Sequence, residues 1–376
     1  MLQEILVDLK LTLEEFQKLC IVAGCDYLDN VRGIGIPRAY AVHYLTDRKH
    51  FVQIDDNKSE YCTINFGVPQ GSIMGPLIFN LYVADLQSHM DNIKCHQYAD
   101  DTSLYKHCKP VDLQATVTEL YAGMGKLEAW SREANLVINP EKTKVMLMST
   151  SQLSRVHHLD TTNIDLTVND TPLKRVATTK LLGSYIHEHL NWEENVKHTA
   201  ASCYATLTSI KKFKKILPFH IKKNLAQALV LSKLYYNDIV YHPLPDYLSK
   251  RLQRVQKAAA SFVLGRYAST EDIVLKLKWL PVKEQREWNL LKATHKAIYN
   301  TNWPNYLKLT IFQHNRCLRS SNGLQLERPL ICNTLQDQAS HVFNSLPKDV
   351  RNCLDYTTFC RETRNIFYTR ALELLN

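Results

Sequence analysis

Asp100 and Asp101 are adjacent carboxylates that follow Tyr98 and Ala99 between two short apolar runs. Ile93–Tyr98 and Thr102–Tyr105 read as strands, which puts the Asp pair at the tight turn between them. Neighbouring strand residues point to opposite faces, so a turn lets both carboxylates approach one site. A hairpin carrying this pair suits oxygen ligation of a divalent cation and phosphoryl-transfer chemistry. Asp also favours turns on its own account, and a solvated turn is the alternative reading. A second stretch that could meet a ligand is Gly67-Val68-Pro69-Gln70-Gly71-Ser72, where two glycines flank a rigid Pro-Gln and permit close backbone approach. The third is Arg32-Gly33-Ile34-Gly35, whose Gly-Ile-Gly between two helical stretches exposes backbone N–H groups able to grip a phosphate. An ordinary interhelical loop is the alternative there.

The elements that must position these residues can be sketched from periodicity. Thr12 with Glu15 three residues on is a capping-box signature, followed by Leu13, Phe16, Leu19, Cys20 and Ala23 at helical spacing and by Gly24 as a stop. With Gly33 and Gly35 this predicts a helix–hairpin–helix, a reader of nucleic-acid backbone. Phe51–Ile54 and Tyr61–Phe66 predict a hairpin around the turn-rich Asp55–Lys58. Ser72 is a natural N-cap for a helix whose expected buried stripe is Ile73, Leu77, Leu81 and Ala84. Beyond residue 195 the pattern is helical and basic. Residues 196–300 hold 19 Lys/Arg against 6 Asp/Glu, an excess of +13 that exceeds the +9 of the whole chain. The densest run is Lys211, Lys212, Lys214 and Lys215, with Lys222 and Lys223 soon after. Lys250, Arg251, Arg254 and Lys257 form a second set at helical spacing, and Tyr235, Tyr236, Tyr241 and Tyr247 lie between the two. Basic residues interleaved with aromatics suit backbone binding and base stacking; a solvated helix face with core tyrosines is the alternative. The lysine run also reads as a nuclear import signal.

Composition bounds the class. The 376 residues are 45% hydrophobic and 22% charged, a globular balance with room for two or three domains. Ten cysteines without regular spacing predict reduced, mostly buried thiols in an intracellular protein rather than a disulfide framework. His157, His158, His187 and His189 form no Cys/His quartet, which argues against zinc. No apolar run approaches the ~20 residues of a membrane span, and Met1–Glu4 do not open like a secretory signal. No small-molecule cofactor is evident.

Two resemblances then become specific. Gly67–Ser72, Tyr98–Asp101, Trp130 with Leu136–Lys144, and Lys180–Gly183 with Leu190-Asn191-Trp192 match, in order and spacing, the palm motifs of reverse transcriptases from LINE-type (non-LTR) retrotransposons. Trp279–Val282 and Phe343–Pro347 resemble the helical tail of the same proteins. The likeness runs from about residue 44 to near the C-terminus. It implies RNA-directed DNA synthesis with two Mg²⁺ ions, on an RNA template with a DNA primer. In such enzymes the matches of Gln70, Gly71 and Tyr98 lie beside the incoming nucleotide and template. Asp100 would be a metal ligand with Asp101 in support, and Lys142 would assist the leaving pyrophosphate. Phe16–Ala41, with Gly24-Cys25-Asp26-Tyr27 and Arg32–Gly35, resembles the flap endonuclease/exonuclease 1 family. There the match of Asp26 is one of several metal carboxylates, and the matches of Gly33 and Gly35 hold duplex DNA.

The departures count as well. The first palm motif, an Asp followed by Ala-Phe-Asp, is missing upstream of Gly67, as are the fingers and the nuclease family's other acidic clusters. The implied fold is α+β: a helix–hairpin–helix fragment over 1–42, a partial right-hand palm over 43–195, and a basic helical thumb-like and C-terminal region over 196–376. The implied function is a reverse transcriptase fragment, inactive for want of its first catalytic Asp. The alternatives are a non-catalytic nucleic-acid-binding protein, or a truncated exonuclease 1-like 5′ nuclease carrying a retroelement insertion.

Overall fold

The computed structural model describes residues 48–375 apart from 65–66, 68–70, 72–74, 305–306, 313–323 and 331–333. Asp26, Gly33, Gly35, Gln70, Ser72 and the Thr12-capped helix lie outside the described residues. The chain divides into two compact units, the first built from residues 1–145 and 161–175, the second from 146–160 and 176–376.

In the first unit, β1 (Arg48–His50), β2 (Gln53–Ile54), β3 (Asn57–Lys58) and β4 (Cys62–Ile64) make a nested hairpin, β1 pairing with β4 and β2 with β3. A hairpin is present where one was expected, but its pairing differs: Cys62–Ile64 pairs with Arg48–His50, and Gln53–Ile54 pairs with Asn57–Lys58, which was expected in the turn. Helix α1 (Gly75–Tyr82) follows, then β5 (Lys94–Tyr98), β6 (Asp101–Tyr105), the long α2 (Leu113–Glu133) and β7 (Lys144–Val145). Strands β8 (Thr167–Val168), β9 (Thr171–Pro172) and β10 (Lys174–Arg175) complete the unit; β10 returns to pair in parallel with β7. Its core gathers Ile78, Val83, Leu86, Met90 and Ile93 with Val117, Met124, Leu127 and Trp130 of α2. Gly123 sits in mid-α2 because Ile93 needs the room: a Cβ there would lie 2.0 Å from the Ile93 Cδ1.

The stripe expected on α1 is wrong. Gly75 and Ile78 are its buried residues, whereas Leu77 and Leu81 are 54% and 36% exposed. Apolar side chains run almost all round this helix, so spacing alone did not choose the face. The sheets also fall short of a single palm sheet. Among the described residues every sheet is a two-stranded piece, and one of the six is parallel. Short pairs of this kind hold only when a helix covers them.

The second unit is helical. It holds α3 (Ser151–Val156), the hairpin β11 (Thr178–Leu181) and β12 (Ser184–His187), then α4 (Glu193–Lys211) and α5 (Phe219–Ala226). A π-helical turn, Gln227–Leu231, leads into α6 (Ser232–Leu234). Next come α7 (Asp246–Leu264), α8 (Thr270–Leu275), α9 (Val282–Tyr299), α10 (Leu335–Asn344), α11 (Lys348–Arg351) and α12 (Tyr356–Glu373). Two apolar clusters hold it. One joins Cys203 and Leu207 of α4 to Val230, Leu234, Leu252, Val255 and Phe262. The other joins Leu290 and Leu291 of α9 to Phe343, Phe359 and Phe367.

Tyr235 and Tyr241 belong to the packing rather than to a binding face. Tyr241 is 1% exposed and joins the first cluster, and the Tyr235 hydroxyl accepts from Gln256 at 2.7 Å. Tyr236 and Tyr247 are exposed. The expectation of mostly buried thiols also fails: of the described free cysteines only Cys203 is buried, and Cys62 and Cys108 are exposed. None of the described helices is long and apolar enough to cross a membrane.

Candidate functional site

The acidic hairpin forms as a five-pair antiparallel ladder, from Lys94 opposite Tyr105 to Tyr98 opposite Asp101. Its loop is the two residues Ala99 and Asp100, so Asp100 holds the turn while Asp101 is the first residue of β6 rather than part of the turn. Ala99 takes φ +52, a left-handed conformation more at home with glycine or asparagine. Strain of this sort in a tight turn beside chemically competent side chains is a recurring mark of functional sites. Two contacts tether the hairpin: the Cys95 amide donates to the Gln87 side chain at 3.0 Å, and Gln97 donates to the Val83 carbonyl at 3.3 Å. His96 stacks on Tyr105 at 5.2 Å and shares a 2.9 Å hydrogen bond with its hydroxyl.

Asp100, Asp101 and Tyr98 are all exposed, Tyr98 by 68%. Exposed carboxylates are the right donors for a hard cation such as Mg²⁺, which binds through one or two of them and completes its shell with water and phosphate oxygens. The hairpin supplies oxygen donors of this kind, Asp100 in the turn and Asp101 at the head of β6. Among the described residues, however, no third His, Cys, Asp or Glu joins this pair within ligand distance. Lys142 is exposed in the loop before β7, where its amide donates to Asn139 Oδ1 at 3.2 Å. It forms no ion pair with either Asp. Trp130, expected near this segment, is held by a 3.2 Å hydrogen bond from its indole to Asp85. Of the Gly67–Ser72 loop only Gly67 (φ +73) and Gly71 (φ +80) are described, and both take the left-handed conformation their type permits.

In the second unit, Lys180–Gly183 forms the tip of the β11–β12 hairpin. Leu182 and Gly183 both have positive φ, +44 and +84, as a tight type I′ turn requires. Tyr236, which the sequence offered only as one aromatic among several, donates to the Leu182 carbonyl at 2.8 Å. Asn237 donates to the Ser184 hydroxyl at 3.1 Å. The ring of Tyr236 lies so close to Gly183 that a Cβ there would meet it at 2.9 Å.

The basic residues converge more than their spacing showed. A cleft of about 850 Å³ is lined by Lys211 and Lys214, by Arg254 and Lys257 of α7, and by Arg266 and Tyr267. Arg254 and Lys257 lie one helical turn apart on α7, and Lys214 is brought beside Lys211 by the turn that follows α4, its amide donating to the Lys211 carbonyl at 3.1 Å. Lys212 and Lys215 are exposed but line no part of it. Gly265, at φ +80, ends α7 and turns Arg266 and Tyr267 onto the rim. Neither rim residue was singled out from sequence; the helix-stopping glycine was the available signal. Arg266 is committed to Asp272 through two hydrogen bonds of 2.9 and 2.6 Å, which hold the Asp272 carboxyl well below its ordinary range. The other four cations carry no ion pair among the described residues, and Tyr267 is 78% exposed.

His189, unassigned from sequence, falls in a trio with Asp160 and Glu188 whose candidate ligand atoms lie within 4.8 Å of one another. Its Nδ1 donates to the Ser149 carbonyl at 3.1 Å, and its Nε2 lies 3.8 Å from Asp160. An ordinary ion pair accounts for that distance when His189 is protonated.

Comparison with known proteins follows the same line as the hairpin. Residues 30–200 match the family model described as reverse transcriptase (RNA-dependent DNA polymerase). Over that span, a little under half of its length, the chain is similar to reverse transcriptases. It is 29% identical over 175 residues to the "Probable RNA-directed DNA polymerase from transposon BS" of Drosophila melanogaster, a stretch covering 45% of this chain and 18% of that protein. It is 30% identical over 115 residues to the "RNA-directed DNA polymerase from mobile element jockey" of the same organism, covering 28% of this chain and 12% of that protein. The chain thus spans less than a fifth of the length of these relatives. A separate, shorter likeness is to "Flap endonuclease 1" of Plasmodium chabaudi chabaudi, 42% identical over 59 residues, 15% of this chain and 12% of that protein. Segments similar to two different classes of nucleic-acid enzyme are therefore joined in one polypeptide.

Proposed function

We propose that the protein is a reverse transcriptase fragment of non-LTR retrotransposon origin that binds template and primer but does not complete nucleotide transfer. The observation that carries this reading is the exposed Asp100–Asp101 hairpin without a third ligand group among the described residues. In this reading residues 43–195 are a partial palm and residues 196–376 a thumb-like and C-terminal region, with residues 1–42 a nuclease-derived fragment. Asp100 is the metal ligand, Asp101 supports it, and Lys142 faces the pyrophosphate side. Gln70 and Gly71 border the nucleotide. Bound Mg²⁺ would activate the primer hydroxyl and neutralise the leaving phosphates, a task that takes two ions and more carboxylates than this hairpin supplies. Mg²⁺-dependent primer extension on an RNA template tests the reading. No extension is expected; robust synthesis abolished by Asp100→Ala would overturn the inactivity.

The basic cleft favours a second reading, nucleic-acid binding without catalysis. Its four unpaired cations predict affinity that falls steeply with salt, by nearly one power of concentration per phosphate engaged. Neutralising Lys211 and Lys214 should lower that slope by about two. A slope unchanged by the double substitution would remove the cleft from the interface. The lysine run would serve a nuclear protein, and a fusion of residues 205–220 to a fluorescent reporter tests that address.

A further inference from the structure

No acidic residue lies between Glu194 and Asp238, and none between Asp246 and Glu271. The first stretch holds eight Lys/Arg and the second five, and together they supply the whole lining of the basic cleft. Helix α4 beyond its first turn and α7 beyond its first residue therefore carry no carboxylate of their own. Lys250 and Arg254 stand at i, i+4 on α7, a like-charge spacing that weakens a helix. Asp238, the acid nearest in sequence, is buried and accepts from Asn289. Positive charge is thus concentrated at the cleft with no carboxylate in its lining, which suits a polyanionic ligand.

Tyr267 is displayed on the rim of this charge, and its backbone is pinned. Gly265 ends α7 in the left-handed conformation, the Arg266 guanidinium donates to the Tyr267 carbonyl at 2.8 Å, and the Ala268 amide donates to Ser261 Oγ at 3.0 Å. Arg266 is itself anchored by Asp272, which belongs to the capping box that opens α8 at Ser269. An exposed ring on a backbone already ordered by folding loses little further freedom when a flat ligand lies on it. The remaining lining is Ala258, Ser261, Phe262 and Gly265, without a carboxylate or a side-chain amide. The Ser261 hydroxyl, which accepts from Ala268, donates to the Lys257 carbonyl at 2.8 Å and is fully engaged within α7 and its cap.

Resting on the nucleic-acid-binding reading of this cleft, we propose that its ligand is a single strand, taken without regard to base sequence or sugar. Phosphates of the strand engage Lys211 and Lys214 from one segment and Arg254 and Lys257 from the other, and an unpaired base stacks on Tyr267. In a duplex the base faces are covered by their neighbours, so the exposed ring would add nothing; every unpaired base has a face to offer. Reading of base edges relies largely on bidentate side-chain pairs, amides and carboxylates among them, and the lining has neither of those groups. Its cations are drawn first to phosphates, which position a strand and carry no sequence information. A cleft of about 850 Å³ is of small-ligand size, room for a short piece of one strand rather than for a double helix.

Fluorescence anisotropy of the full chain with labelled oligonucleotides of equal length tests this. The probes are two DNA strands of unrelated sequence, one of those sequences as RNA, its blunt DNA duplex, and an abasic DNA strand of the same charge. The three base-bearing strands should bind within about three-fold of one another, and the duplex and the abasic strand about ten-fold or more weakly. Tyr267→Ala, at an exposed position that does not threaten the fold, should remove most of the preference over the abasic strand and leave binding of the abasic strand itself unchanged. Tyr267→Phe keeps the ring and should keep the preference. Replacing Lys211 and Lys214 by Gln should weaken every probe and lower the salt slope by about two. Absence of binding to all probes would overturn the nucleic-acid reading and this proposal with it. Duplex binding as tight as that of the strands, still weakened by the lysine substitutions, would leave that reading standing and overturn the single-strand assignment. A strand preference unmoved by Tyr267→Ala would overturn the stacking on Tyr267, and a difference of more than about ten-fold between the two sequences, or between DNA and RNA, would overturn the indifference to base and sugar.

Discussion

Asp100 and Asp101 stand at the end of a five-pair ladder, with a strained alanine between them and Tyr98 and two polar tethers behind. The cations of the basic cleft stand on or beside α4 and α7, nineteen residues each, packed over a continuous apolar cluster. The first arrangement places its groups through local turn geometry, and the second through long-range packing. The hairpin's turn and register are set by its own ladder, although so short a pair still needs its neighbours to cover it. A convergent cationic surface has no such local definition and exists only through its core.

The largest expected effect is in the helical unit. Phe359 is fully buried among Phe343 and its neighbours, and Phe359→Ala should cost about 3–5 kcal/mol in thermal or urea unfolding. A loss under about 1 kcal/mol would show that the helical core is looser than its packing implies. Asp238 gives the next. Burial pushes its carboxyl up to about 6, against a 2.7 Å hydrogen bond from Asn289 that favours ionisation. Because the folded form holds the proton more tightly than the unfolded one, stability falls as pH rises from about 4 to 6 and stays lower above. Asp238→Asn should flatten that dependence and remove a penalty of roughly 2–3 kcal/mol at pH 7. Denaturant midpoints across pH 4–8 decide it; an unchanged profile would mean that Asp238 does not govern it.

In the first unit, Gly123→Ala should destabilise by about 1–3 kcal/mol, because Ile93 must move to admit the methyl group, outweighing the helix-propensity gain of about 1 kcal/mol. Stabilisation instead would mean that α2 yields there. The smallest effect is at the hairpin tip: Ala99→Gly should relieve the left-handed strain by about 1 kcal/mol, less the entropy glycine adds to the unfolded chain. Hydrogen exchange of the β5–β6 amides measures it, and slower exchange is the expected result.

The pieces legible in the sequence were those with local causes. The hairpin at Tyr98–Asp101 could be seen from two alternating runs around a turn, and only the exact seat of Asp101 shifted. The outer hairpin at residues 48–64 followed the same logic. What failed depended on partners distant along the chain. Leu77 and Leu81 are as apolar as Ile78, and only the surroundings of the folded helix decide between them. Tyr235 and Tyr236 are adjacent, yet one is fixed by Gln256 and the other grips the Leu182 turn. Lys211 and Arg254 are 43 positions apart and meet through the packing of α4 on α7, which no periodicity records.

The chain passes between its two units three times, after residues 145, 160 and 175. During synthesis the first unit cannot close until β10 emerges to pair with β7, so residues 146–160 must wait outside a structure that is not theirs. Helix α3 in turn finds its own unit only after residue 176 and beyond have been made. The order of synthesis and the order of assembly are thus interleaved, and a pause or truncation between 145 and 176 would strand a segment of each unit in the open.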